Sequence, residues 1–209
     1  MVIKMKKDGA AAKAERDALL DAIEKTAEIK MSGRKVFDGK VIRVEQDTVV
    51  IPGGALTTRE VVRHPGGVCV LPLTDDGQVL LVRQFRYPEA RIFTELPAGK
   101  LEAEERREGR FAEAALRELK EETGADCRTL TYIGDFYPSP AILDEVIHMY
   151  LAEGLTFGEP NPDEDEFLDV ISISLDQLCN MIIHGEITDG KTQAATLKVK
   201  YILDARDGK

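Results

Sequence analysis

Tryptophan is absent, and cysteine and histidine each occur only three times in 209 residues. Cys69, Cys127 and Cys179 are odd in number and far apart, without the paired spacing of a zinc site or a disulfide framework, so they read as buried thiols. His64 lies in a turn, His148 in a β-type run and His184 at a helix end, and no spacing among them suggests a catalytic triad or a zinc ligand set. No stretch approaches the roughly 20 apolar residues that span a bilayer, and the N-terminus lacks the apolar core of a secretory leader, so a cytoplasmic protein without a membrane partner is expected. Positive charge is also scarce: 28 Lys and Arg stand against 38 Asp and Glu, a net charge of -10. That balance argues against nucleic acid or an anionic membrane as partner, because polyanions are bound through Lys and Arg. An acidic chain that handles a phosphorylated substrate would need a cation between itself and that substrate.

What is present is globular: 43% of residues are hydrophobic and 32% charged, enough for one main domain with an appendage. An Ala-rich segment with Leu19, Ile23 and Ala27 at four-residue spacing predicts an amphipathic helix, and residues 1–34 are read as a helical extension. Residues 35–66 read as a β region and 67–209 as the principal domain. From Lys40 the apolar period moves toward two, with turn signals at Pro52-Gly53-Gly54, Pro65-Gly66-Gly67 and Asp75-Asp76-Gly77. A helix is predicted over about Phe111 to Thr123, stopped by Gly124; three more strands and two closing helices follow. Strands and helices mixed without regular βαβ alternation indicate an α+β class, mixed sheets sandwiched by helices.

The chemistry concentrates between Gly99 and Ala125. At 3.6 residues per turn, Glu118, Glu121 and Glu122 fall within an arc of roughly 100°, beside an apolar stripe of Ala112, Ala115, Leu116 and Leu119. A solvated charged face accounts for three glutamates, since like charges at this spacing cost only about 0.2–0.5 kcal/mol per pair. An oxygen-only cluster equally suits a hard cation such as Mg²⁺ or Mn²⁺. The preceding "ELPAG" offers a bend at Gly99 that would point the Ala98 carbonyl at the same place.

The segment Gly99 to Ala125 resembles the Nudix box: a glycine, five residues, Glu, seven residues, Arg-Glu, an aliphatic, any residue, Glu-Glu, any residue and Gly. "RELKEETGA" from Arg117 matches in register, and "HPGG", "VRQFR", "ELPAGK", "SPAILDE" and "DEDEF" extend the similarity over roughly Val36 to Arg206. Eleven residues, not seven, separate Glu105 from Arg117, which reads as a four-residue insertion around "ERREG" that puts the support of Arg117 by Glu105 in question. Gly99, Arg117 and Gly124 are then structural positions of the box. The resemblance is strongest to ADP-ribose and nucleoside-diphosphate-sugar pyrophosphatases, and Pro140, sixteen residues past Gly124, favours ADP-ribose.

The resemblance implies a Nudix fold and Mg²⁺-dependent hydrolysis of ADP-ribose, giving AMP and ribose 5-phosphate, or of a related nucleoside-diphosphate sugar, with Mn²⁺ as an alternative ion. The Ala98 carbonyl, Glu118 and Glu122 would hold the metals, Glu121 would be a ligand or outer partner, Glu164 the base, and Glu166 a further ligand or the base itself. Arg86 would contact phosphate, Glu95 and Glu145 would lie near ribose or metal, and Arg59 would reach a neighbouring subunit's site. A homodimer sharing N-terminal strands is expected. The alternatives are a non-catalytic regulatory module that binds the nucleotide, and an enzyme for another sugar or dinucleotide.

Overall fold

The computed structural model describes Asp21, residues 24–159, Asn161 and residues 167–208. The chain divides into two compact units, Met1–Arg63 and His64–Lys209.

In the first unit, strands β1 (Ile29–Asp38), β2 (Arg43–Val50) and β3 (Leu56–Arg63) form an antiparallel sheet in that order. The chain is extended from Ile29, although the sequence leads one to expect helix to residue 34; of the residues described before it, Asp21 and 24–26 are helical. Two register shifts, between Lys30 and Ser32 and between Lys35 and Phe37, break the period of two in β1 and hide it from the pattern. Asp47 is buried on this sheet between Lys30 (2.6 Å) and Arg63 (3.5 Å). Such opposite-charge cross-strand pairs fix the register.

The second unit is built on a mixed sheet in the order β10-β5-β4-β9-β8, from β4 (Gly67–Leu73), β5 (Gln78–Arg86), β8 (Ala125–Phe136), β9 (Ile147–Phe157) and β10 (Asp169–Ser174). Two short strands, β6 (Arg91–Glu95) and β7 (Ala98–Lys100), pair with β5 and β4 respectively. β4 and β9 run parallel; the other pairings are antiparallel.

Alternation along β4 divides the core. Val68 and Val70 face helix α2 (Phe111–Thr123), packing with Ala114, Ala115 and Leu119. Cys69 and Leu71 face the other side, where α3 (Leu175–Ile183) and α4 (Gly190–Arg206) contribute Leu178, Ile182, Ala195 and Val199. A short α1 (Ala103–Glu108) precedes α2. Helices on both faces of a mixed sheet make the α+β sandwich that the sequence leads one to expect. Among the described residues, no helix is long and apolar enough to cross a membrane.

Candidate functional site

The site is assembled where β7 meets α2. The interior of this helix, from Phe111 to Thr123, contains no glycine or proline, and Gly124, at φ 70°, accepts the left-handed turn that ends it. The buried face differs from the stripe expected. Ala112 and Leu116 are exposed, whereas Ala114, Ala115 and Leu119 share the inner face with Glu118 and Glu122, which are 6% and 3% exposed. Glutamates so buried are not a solvated face, because a carboxylate leaves water only against compensating partners.

Those partners come from β7 and from α2 itself. Ala98 N–H donates to Glu122 Oε2 at 3.0 Å. Arg117 donates from one terminal nitrogen to Glu118 (2.8 Å) and Glu121 (2.9 Å), which ties both carboxylates to a single guanidinium. Gly99 lies in extended β7 and is not at positive φ, so its role is space and not a bend: an added Cβ would fall 2.0–2.2 Å from the Glu118 carboxylate.

The other edge of Arg117 reaches Glu105, Nε to Oε1 at 3.0 Å and the second terminal nitrogen to Oε2 at 3.1 Å. The support of Arg117 is therefore present despite the longer spacing. Four extra residues are close to one helical turn, and the chain spends them in α1, closed by Gly109 at φ 69° and by a capping box in which Glu102 N–H donates to Glu105 Oε2 at 2.8 Å. Burial pushes the Glu105 carboxyl up, but hydrogen bonds from Arg117 and the Glu102 amide outweigh it and hold it below the usual carboxylate range.

A second polar group adjoins the first through three residues of chain. Glu95, at the end of β6, takes Arg86 in a bidentate pair, both contacts at 2.8 Å, and also receives Lys191 Nζ. Lys191 is itself 8% exposed and lies 3.1 Å from Asp189, the residue that caps α4. Thr192 Oγ1 accepts the Leu96 N–H at 2.9 Å. The corner Glu95–Ala98 is thus held at one end by the first turn of α4 and at the other by Glu122. Burial acts to raise the Glu95 pKa, but Arg86 and Lys191 overcome it and bring it down to about 2.

Compared with known proteins, this chain matches the NUDIX domain over residues 63–193. The chain belongs to the Nudix family. It is 43% identical over 176 residues to the ADP-ribose pyrophosphatase of Bacillus subtilis, covering 82% of this chain and 93% of that one. It is 41% identical over 170 residues to the methanol dehydrogenase activator of Bacillus methanolicus, covering 80% and 88%. A crystal structure of an ADP compounds hydrolase superposes with a TM-score of 0.74 at 19% identity, covering 86% of this chain and 95% of that one, and this likeness shows the Nudix fold.

For the Nudix site, the donor set fits a hard divalent cation in kind: Glu118 and Glu122 are oxygen donors packed against Ala98 and Gly99. Among the described residues no three His, Cys, Asp or Glu side chains converge closely enough to hold a metal ion. Glu164 and Glu166 lie outside the described residues.

The structure distributes the remaining residues. Glu145 lies 3.2 Å from His64 Nδ1, and the neighbouring Asp144 accepts the His64 N–H at 2.8 Å, so this pair braces the entry to β4. Pro140 is exposed in a turn whose Ile142 and Leu143 amides donate to the Ser139 carbonyl. Arg59, in the first unit, bonds Glu28 through Nε at 2.9 Å and through a terminal nitrogen. Sequence pattern does not reveal Lys191 and Thr192; the only local signal is the Asp-Gly-Lys-Thr helix start, which reads as a cap.

Proposed function

We propose that this chain hydrolyses the diphosphate of ADP-ribose, or of a related nucleoside-diphosphate sugar, in a reaction that depends on Mg²⁺ or Mn²⁺. The observation that carries the reading is the pair of buried glutamates, Glu118 and Glu122, held against β7 by Arg117 and the Ala98 amide in a Nudix chain similar to an ADP-ribose pyrophosphatase. Glu118, Glu122 and the Ala98 carbonyl would hold the cation, with Glu121 and Glu166 adding oxygens at its outer side. The bound ion would act as a Lewis acid toward phosphorus and acidify the attacking water.

Glu164 would take that proton, so that water adds to one phosphorus, the bridging P–O bond breaks, and AMP leaves ribose 5-phosphate. Its participation is supported by the described flank of the acidic segment. Asn161 N–H bonds the Glu121 carbonyl at 2.9 Å and Gly158 N–H bonds that of Gly124 at 2.7 Å, so the segment departs from the end of the carboxylate helix. Arg86 would bind phosphate with the edge of its guanidinium that Glu95 leaves open. Glu145 and Pro140 would border the ribose side. A homodimer formed through the first unit, with Arg59 reaching the neighbouring subunit's site, is supported by β1, exposed throughout and carrying Ile29, Met31, Val36 and Phe37.

The regulatory reading has one finding in its favour, the similarity to the methanol dehydrogenase activator. The intact Glu105–Arg117 support removes the reason for expecting a disabled loop. The deciding experiment is AMP release from ADP-ribose, with a panel of nucleoside-diphosphate sugars and dinucleotides, in Mg²⁺ and in EDTA. Turnover of ADP-ribose that EDTA and Glu122→Gln both abolish is expected. No turnover of any compound, with ADP-ribose still raising the melting temperature, would replace hydrolysis by the regulatory reading.

A further inference from the structure

Lys191 is a buried cation that the proposed chemistry does not use. Its ammonium touches two carboxylates, Glu95 and Asp189, and Glu95 in turn holds Arg86. Lysine is almost never buried without paired charge, and this pairing spans 96 residues of sequence. The charges of Glu95, Asp189, Arg86 and Lys191 sum to zero.

The geometry of Arg86 makes that balance consequential. Of the five N–H donors of a guanidinium, Nε–H and one terminal N–H are committed to Glu95, leaving the opposite edge, on a side chain that is 42% exposed. Without Lys191 the group would carry a net negative charge beside a substrate that is itself an anion. Glu95 would then lose its anchor in the core, and the Glu95–Arg86 pair would be free to shift together. The Leu96–Thr192 bond would still join α4 to the corner, so the fold does not depend on Lys191 alone.

We propose that Lys191 is a positioning residue for the diphosphate: by pinning and neutralising Glu95 from within the core, it keeps the outer edge of Arg86 turned toward the substrate phosphates. The inference rests on the proposed hydrolysis only through the identity of the ligand. Its mechanism predicts a specific coupling. Removing the Lys191 charge weakens substrate binding through Arg86 and leaves the carboxylates of α2 untouched.

The test is steady-state hydrolysis of ADP-ribose by Lys191→Met, Lys191→Arg, Arg86→Ala and the Lys191→Met/Arg86→Ala pair, with circular dichroism on each. Lys191→Met is expected to raise KM about tenfold with kcat changed much less, as loss of a charged contact made equally in ground and transition states does. Lys191→Arg should restore most of the loss, and Lys191→Met should add nothing in the Arg86→Ala background. Additive effects, or a fall in kcat at unchanged KM, would overturn the proposal. Should Lys191→Met not fold, Lys191→Gln, which removes the charge but keeps an N–H donor for Glu95 and Asp189, is held to the same KM criterion. If the wild-type chain does not turn ADP-ribose over, hydrolysis fails as a reading, and calorimetric binding of ADP-ribose to the same variants decides Lys191 by the same coupling. A wild-type chain that neither hydrolyses nor binds ADP-ribose overturns both.

Discussion

The Glu118 carboxylate fills the volume where a side chain on Gly99 would lie, Oε1 2.0 Å and Oε2 2.2 Å from the added Cβ. The clash falls on the far end of a flexible side chain, so Gly99→Ala is resolved by swinging Glu118 aside. Stability should change by no more than about 1 kcal/mol, while turnover and Mn²⁺ affinity fall by roughly 10–100-fold. Calorimetric titration with Mn²⁺ checks this; undiminished affinity would remove Glu118 from the ligand set.

Glu105→Gln should cost about 1–2 kcal/mol in urea unfolding. One carboxylate oxygen becomes an NH₂ facing either Arg117 or the Glu102 amide, and both of those are donors. Loss of activity should accompany the loss of stability, because Arg117 also orients Glu118 and Glu121. Activity retained in full would show that these two hold their places without Glu105.

Glu95 supplies a pH signature. Its pKa is about 2 in the folded chain against an ordinary value of 4.5, so between these values the unfolded chain binds more protons and stability rises with pH. The contribution is complete above pH 4.5 and lost as pH falls toward 2. Urea unfolding of wild type and Glu95→Gln should therefore differ most above pH 4.5 and converge toward pH 2. A gap that does not narrow would assign the effect of Glu95 to packing.

Glu164→Gln should lower kcat by a larger factor than it raises KM, as a group that acts on the water and not on the substrate does. A change in KM alone would transfer the role of base to another residue, with Glu166 the next to test.

Much of the fold is legible in the sequence because local pattern and tertiary structure agree. The helical pattern and Gly124 place α2, and the turn glycines Gly53, Gly54, Gly66 and Gly77 separate β2 from β3, β3 from β4 and β4 from β5. β1 is hidden because its two register shifts erase alternation and its side chains are exposed on both faces. Spacing misleads at Glu105 because it counts residues, whereas an added helical turn returns the chain to nearly the same place. Lys191 is invisible for a different reason: nothing near it in sequence marks a buried lysine, whose partner Glu95 comes from another element.

The bond between the Leu96 amide and Thr192 Oγ1 gives the molecule a temporal order. The ribosome releases Glu95, Ala98 and the whole of α2 long before Gly190 begins α4. A chain stalled in between can form its carboxylate helix but lacks the clamp on the corner that faces it. Closing that contact across 96 residues requires a long loop to be ordered first, which is slow compared with helix formation. Competence for chemistry is thereby deferred until α4 has been made and has docked on the corner.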